Sequence, residues 1–126
     1  MSGFFIHLYI MNIEEIRSFC LSLHTSVTED FPFDEVTLTF RIGNKIFALL
    51  SLDAVPPTIN LKSDPEKAIA LREKNDLIIP GYHMNKTHWN TITNTTEISA
   101  PLLKEMISDS YNLVKTSLPR KIKDSL

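Results

Sequence analysis

The amino-acid sequence predicts one α+β domain, an antiparallel sheet of four to five strands with the N- and C-terminal helices packed on one face. Apolar and polar residues alternate with a two-residue period over 36–42, as in a half-buried strand. The Gly43-Asn44 pair that follows is typical of a tight hairpin turn. Apolar stripes at helical spacing stand near both ends of the chain. The predicted element order is α-β-β-β-α-β-β-α.

The first helix is predicted from Asn12 to about Leu23. Asn12 is a suitable N-cap, and Glu15 stands at the third helical position, which together make a capping box. Apolar residues then recur at helical spacing: Ile13, Ile16, Phe19 and Leu23. Residues 24–35 are predicted to form a loop, because Pro32 interrupts regular structure there.

Three strands are expected next, over 36–42, 45–52 and 58–62. In the first, the apolar residues face the core, and Thr37, Thr39 and Arg41 face solvent. The second is apolar on both faces, with Phe47 and Leu49 on one side, and is therefore predicted to be central. The third alternates again and leaves Asn60 and Lys62 on the polar face.

The second half of the chain contributes two helices and two short strands, predicted over 65–74, 77–79, 88–93 and 99–118. Asp64 and Ser99 are suitable N-caps, and each is followed by a proline in the first helical turn. Pro119 ends the longest helix.

The domain is expected to occupy residues 11–120, with a flexible tail at 121–126. Residues 1–10 are expected to be an N-terminal extension, because Met11 directly precedes the first helix and offers a second translation start. The extension is apolar but has no positively charged region or cleavage site and is too short to span a bilayer. Cys20 is the only cysteine, so no intramolecular disulfide is expected, which fits a cytoplasmic protein.

Charge is distributed unevenly along the chain. Residues 1–40 contain one basic residue against six acidic ones, so the remainder carries +3 in a chain of net charge -2. This asymmetry permits a basic surface on a weakly acidic protein, although a pI near 6.1 argues against general nucleic-acid affinity. The alternative, which the composition favours, is a surface of mixed charge.

Residues 78–91, IIPGYHMNKTHWNT, resemble the signature of the MmcQ/YjbR-like family of small bacterial proteins. Segments 27–33, 45–50, 60–66 and 109–111 fit the same pattern, so the resemblance runs from about Met11 to Arg120. One departure is Leu23-His24-Thr25, where the family has a Leu-Pro-Gly-like turn. The resemblance implies a fold related to the frataxin-like (CyaY) one, a DNA-binding role and no assigned enzyme chemistry.

Nine residues are candidates for binding, on the polar sheet face and in the turn beside it. They are Arg41, Asn60, Lys62, Tyr82, His83, Asn85, Lys86, His88 and Trp89. Basic and amide side chains can donate to phosphate oxygens, and an exposed aromatic ring can stack on a base. The alternative is structural, since a wet sheet face is normally polar and a tryptophan commonly fills core volume.

Metal and catalytic sites are not predicted. His83 and His88 are five residues apart with no cysteine near them, which is too few donors for zinc. The sequence has no nucleophile elbow or glycine-rich phosphate loop, so no catalytic residue and no cofactor are expected. The acidic residues of 14–35 leave a frataxin-like metal-binding protein as a weak alternative.

The sequence therefore favours a non-catalytic DNA-binding or regulatory module, monomeric and without a membrane partner. The alternative is a small-molecule or protein-binding domain that uses a cleft beside residues 83–90.

Overall fold

The computed structural model describes residues 10–81 and 84–126, and places four helices and six strands within them. The elements in chain order are α1 Ile13–Ser22, β1 Thr28–Asp30, β2 Thr37–Ile42, β3 Lys45–Ser51, β4 Thr58–Lys62, α2 Pro65–Lys74, β5 Ile78–Pro80, β6 Trp89–Thr93, α3 Ala100–Ser117 and α4 Arg120–Asp124. The predicted α+β class and antiparallel sheet are confirmed. The predicted count of four to five strands is wrong, because the described sheet has six.

The strands are arranged in the order β1-β2-β3-β4-β6-β5, and every neighbouring pair is antiparallel. The unpredicted strand is β1, which lies inside the segment expected to be a loop. Asp30 pairs with Thr39 of β2, so backbone hydrogen bonds to the β2 edge hold this polar segment.

The capping box of α1 is confirmed. Asn12 Oδ1 accepts a hydrogen bond of 2.8 Å from the Glu15 backbone N–H, and Glu15 Oε1 accepts one of 2.9 Å from the Asn12 N–H. Ile16 and Cys20 of this helix are buried in the core. Burial raises the pKa of the Cys20 thiol to about 12, so the thiol stays protonated at neutral pH.

The predicted hairpin turn is present between β2 and β3. Gly43 and Asn44 both have positive φ, 56° and 68°, which matches the turn type that fits the twist of two paired strands. A Cβ atom on Gly43 would lie 2.6 Å from Leu118 Cδ1, so the turn lies directly against the C-terminal end of α3.

A β-bulge changes which residues of β3 face the core. The pairing register shifts between Phe40 and Arg41, and Phe47 packs edge-on against Tyr111 of α3 with ring centroids 5.4 Å apart. Phe47 therefore lies on the helix-covered side, and not on the Leu49 side as the alternation predicts. The extra residue of the bulge interrupts the two-residue period and causes the difference.

The sheet face predicted to be polar is less exposed to solvent than expected, because Thr39 is fully buried. Its hydroxyl donates to the Thr37 carbonyl at 3.3 Å, which satisfies the polar group and removes most of the cost of burial. Thr37 and Arg41 on either side are partly exposed. Thr37 and Arg41 are the residues of β2 that are not buried.

Both ends of the described chain are held by specific contacts. Met11 is buried, and its carbonyl accepts a 2.7 Å hydrogen bond from Asn94 Nδ2, so the fold includes residue 11. The segment predicted as a flexible tail begins inside α4, whose Ile122 lies beside Gly43. Among the described residues, no helix has the length and apolarity needed to cross a membrane.

Candidate nucleic-acid interface

Strand register brings Arg41, Lys62 and Trp89 to one end of the sheet face that is turned away from α3. Lys62 and Trp89 are direct partners across β4 and β6. Arg41 of β2 pairs with Ile46 at the start of β3. Lys62 is at the end of β4, one residue after Leu61, which pairs with Ala48 of β3. Because neighbouring strands are about 4.8 Å apart, Arg41 and Lys62 lie roughly 10 Å from each other. These three residues, predicted separately, form one row.

Trp89 is fixed in place but only partly buried. Its backbone N–H donates to the Asn85 carbonyl at 2.9 Å, and its carbonyl accepts from the Gly81 N–H at 2.7 Å. A Cβ atom on Gly81 would lie 2.8 Å from Trp89 Cβ, so only glycine permits this close approach. The backbone of Trp89 is thus held in place, and the residue is partly exposed to solvent.

Asn85 shapes the turn before β6. Its side-chain Oδ1 accepts a 2.9 Å hydrogen bond from the Thr87 N–H, and its carbonyl accepts from the His88 N–H at 3.2 Å. The side chain therefore has a structural role. The turn leaves Lys86 and Thr87 exposed at its tip.

Arg72 of α2 supports this turn from the other side, a role that the sequence does not reveal. Its Nη2 donates to the Lys86 carbonyl at 3.1 Å, and its Nε donates to the Ala68 carbonyl at 3.2 Å. His88 is partly exposed, and its carbonyl accepts a 2.7 Å hydrogen bond from the Ser63 N–H. The other two candidates of the turn, Tyr82 and His83, lie outside the described residues.

Asn60 lies in the middle of the same face and is hydrogen-bonded across the strands. Its Oδ1 accepts from Thr91 Oγ1 of β6, its direct partner in the register. Within the part of the chain that the structure describes, its Nδ2 has no acceptor. The amide therefore presents a donor on the partly exposed Asn60 side chain.

The basic groups of the row differ in how they are paired. Arg41 Nε lies 3.4 Å from Asp30 Oδ1, and its Nη1 lies 3.4 Å from the Asn44 carbonyl. In contrast, neither Lys62 nor Lys86 has a carboxylate within ion-pairing distance among residues 10–81 and 84–126. Among the described residues, Lys62 and Lys86 thus have no carboxylate to neutralise them; Lys62 is the cross-strand partner of Trp89, and Lys86 precedes Trp89 by three residues.

Further basic side chains lie at the same end of the molecule. The Gly43-Asn44 turn is at this end, with Lys45 directly after it and α4 packed beside it. α4 adds three more basic residues, Arg120, Lys121 and Lys123, of which Arg120 lies 3.9 Å from Asp124 Oδ2. Several of the basic residues of the second part of the sequence therefore lie at the same end of the sheet as Lys62.

The predicted cleft beside residues 83–90 stays a prediction, because His83 lies outside the described residues. A groove of about 480 Å³ lies between α2 and α3, where Ser63, Lys67, Asp109 and Asn112 are among its lining residues. Lys67 Nζ and Asp109 Oδ2 form an ion pair on this groove. Among the described residues, no group of three or more His, Cys, Asp or Glu side chains is placed to hold a metal ion.

Residues 21–113 match the family model of the YjbR domain. Over 91 residues the chain is 45% identical to a protein of Escherichia coli O157:H7 named "Uncharacterized protein YbdF", which covers 72% of this chain and 75% of that protein. It is 25% identical to the YjbR protein of Escherichia coli K12 over 114 residues, 88% of this chain and 93% of that one.

Solved structures show the same fold. The crystal structure of the Deinococcus radiodurans protein DR2400, a DUF419 domain, superposes with a TM-score of 0.86 at 34% identity, covering 92% of this chain and 88% of that one. A crystal structure of a Pseudomonas syringae protein superposes with a TM-score of 0.71 at 28% identity, covering 82% and 99%. The relation to the frataxin-like fold stays a prediction.

Proposed function

Since the chain belongs to the YjbR family, as its signature segment indicates, we propose that it is a non-catalytic module that binds single-stranded DNA on the sheet face away from α3. The observation that carries the proposal is the pairing of Lys62 with Trp89 across β4 and β6. A cation beside a partly exposed indole provides a phosphate contact and a stacking surface within one strand spacing.

The chemistry divides between the backbone and the bases of the nucleic acid. Lys62, Lys86 and Arg41 donate to phosphate oxygens, and Trp89 stacks on an unpaired base. Asn60 Nδ2 adds a directed donor next to them. A single strand fits better than a duplex, because stacking on a fixed ring needs an unpaired base.

The proposal predicts how strongly the binding affinity should depend on salt concentration. A site that neutralises about three phosphates of a single strand should lose affinity with a slope of about -2 in log K against log salt. Raising the salt from 50 to 200 mM should therefore weaken binding by about twentyfold. Fluorescence anisotropy with a labelled 20-nucleotide oligo(dT) measures this directly.

A double variant tests the residues. Lys62→Ala with Lys86→Ala should weaken oligo(dT) binding by about tenfold at 50 mM salt, because it removes two phosphate contacts. The matched control is Lys74→Ala with Lys104→Ala, which removes the same charge from exposed positions on α2 and α3. No binding at 50 mM salt, or an equal loss in the control, would contradict the proposal.

The groove between α2 and α3 supports a second candidate function, the binding of a small molecule. Its lining combines a carboxylate, an ammonium group and an amide, which suits a small polar ligand. A thermal-shift screen of metabolites separates the two functions, because a ligand of the native state raises the melting temperature by mass action. Stabilisation by a metabolite together with no effect of oligo(dT) would favour this groove.

A further inference from the structure

Two loops meet at the end of the sheet opposite the basic one. They are residues 31–36, between β1 and β2, and residues 52–57, between β3 and β4. The Leu52 N–H donates to the Val36 carbonyl at 2.8 Å, so the loops are in direct contact. We refer to residues 31–36 and 52–57 as the acidic apex.

The acidic apex exposes three large apolar side chains. Phe31 is 46% exposed, Phe33 is 65% exposed and Val55 is 96% exposed. Single exposed apolar residues are ordinary on protein surfaces, whereas these three lie on two loops that touch each other. Ile69 of α2 and Ile79 of β5 are similarly exposed but lie on separate elements, and they serve below as controls.

The charge of the acidic apex has one sign. It contains three carboxylates and no lysine or arginine: Asp34, Glu35 and Asp53. In the adjoining strand β1, Glu29 is paired with Arg17, and Asp30 lies near Arg41. Among the described residues, Glu35 and Asp53 have no cation within ion-pairing distance. The patch therefore attracts a cationic partner and repels nucleic acid.

Asp34 fixes the conformation of the aromatic loop. Its Oδ1 accepts from the Val36 N–H at 2.9 Å and from the Thr37 N–H at 2.7 Å, and its Oδ2 accepts from Thr37 Oγ1 at 3.0 Å. These bonds hold the chain directly after Phe33. Little conformational entropy is then lost when a partner covers the ring.

A groove of about 420 Å³ opens beside Phe31, between α1 and the first two strands. Its apolar wall includes Ile13, Leu38 and Leu52, and carboxylates of α1 and β1 also line it, together with Arg17, which is paired with Glu29. The groove has room for an apolar side chain of a partner protein, with basic residues next to it in the partner's sequence.

We propose that the acidic apex docks a segment of a partner protein that combines lysine or arginine with apolar side chains. The exposed rings and the groove take the apolar groups, and Glu35 and Asp53 take the charges. A second copy of the chain would present the same negative patch, which opposes a symmetric dimer through this surface. The proposal does not depend on the nucleic-acid function.

The test is a selection of random 12-residue peptides displayed on phage against the full chain, with the Phe31→Ser/Phe33→Ser double variant as counter-target. The enriched peptides should be net positive and contain aromatic or aliphatic residues. A synthetic enriched peptide should bind the double variant at least tenfold more weakly. Ile69→Ser with Ile79→Ser should leave its affinity unchanged.

A second variant keeps the test valid if the aromatic change disturbs folding. Glu35→Gln with Asp53→Asn keeps side-chain size, removes two exposed charges and should weaken the peptide severalfold, as should raised salt. The proposal is overturned by enriched peptides that are neutral or acidic, by peptides insensitive to both double variants, or by a selection that enriches nothing. It is also overturned by a dimer of the chain that Phe33→Ser abolishes.

Discussion

Ser110→Ala should destabilise the domain strongly, because one hydroxyl of α3 joins two strands. Ser110 is fully buried. Its Oγ donates to the Phe47 carbonyl in the bulge of β3 and accepts a 2.8 Å hydrogen bond from the Lys62 N–H at the end of β4. Alanine preserves the helix but leaves both backbone groups unpaired in the core.

The magnitude follows from those two groups. An unsatisfied buried donor or acceptor costs about 1–3 kcal/mol, so the loss of two partners should lower the free energy of unfolding by about 2–6 kcal/mol. At an unfolding entropy of about 2.1 cal/mol/K per residue, this lowers the melting temperature by roughly 8–23 °C. Urea unfolding followed by far-UV circular dichroism and by Trp89 fluorescence gives the free energy, and a thermal scan gives the temperature.

Ser117→Ala is the matched control on the same helix. Its hydroxyl donates to the Val114 carbonyl within α3, and the residue is exposed. The control should change stability by less than about 0.5 kcal/mol. If Ser110→Ala also stays within that range, the hydroxyl does not join the strands and the reasoning fails.

Three further predictions concern stability and reactivity. Gly43→Ala should lower the free energy of unfolding by about 1–3 kcal/mol, since φ is positive and Leu118 blocks the new Cβ; unchanged urea unfolding would refute this. Cys20 is buried and should not react with Ellman's reagent at pH 8 until urea is added. Folding raises the pKa of its thiol from 9.0 to about 12, so the free energy of unfolding should fall as the pH rises from 9 toward 12, where the unfolded state alone loses the proton. Arg17 lowers the pKa of Glu29, so the stability difference between wild type and Glu29→Gln should shrink as pH falls below 4.5; a constant difference in urea midpoints from pH 7 to pH 3 would contradict the pairing.

Features set by neighbouring residues could be predicted from the sequence. The capping box of α1 depends on Asn12 and Glu15, three residues apart, and the hairpin turn depends on Gly43 and Asn44 alone. The bounds of β4 at 58–62 are confirmed, because its alternation is complete and prolines precede it. In each case the deciding interactions are local.

Features set by distant pairing could not be predicted. β1 exists because β2 offers an edge, and its own polar sequence carries no strand pattern. The bulge that turns Phe47 to the core depends on Tyr111 and Ser110 of α3, more than sixty residues away. The full burial of Thr39 is likewise not encoded by the alternation of residues 36–42.

The candidate site also combines features that could be predicted from the sequence with features that could not. Residue chemistry identified Lys62 and Trp89 as candidates, but only the register between β4 and β6 shows that they are partners. Asn85 was grouped with the binding residues, and the structure gives its side chain a turn-forming role. Arg72 was missed, because an arginine on a helix has no local signal for a carbonyl in a remote turn.

Trp89 is the only tryptophan of the chain, so its fluorescence reports directly on the proposed stacking. Titration with oligo(dT) at 50 mM salt should quench the emission, because an unpaired base stacks on the indole. The quenching should fall at 200 mM salt and be strongly reduced in Lys62→Ala with Lys86→Ala. Binding detected by anisotropy while Trp89 emission stays constant would place the nucleic acid elsewhere and contradict the account.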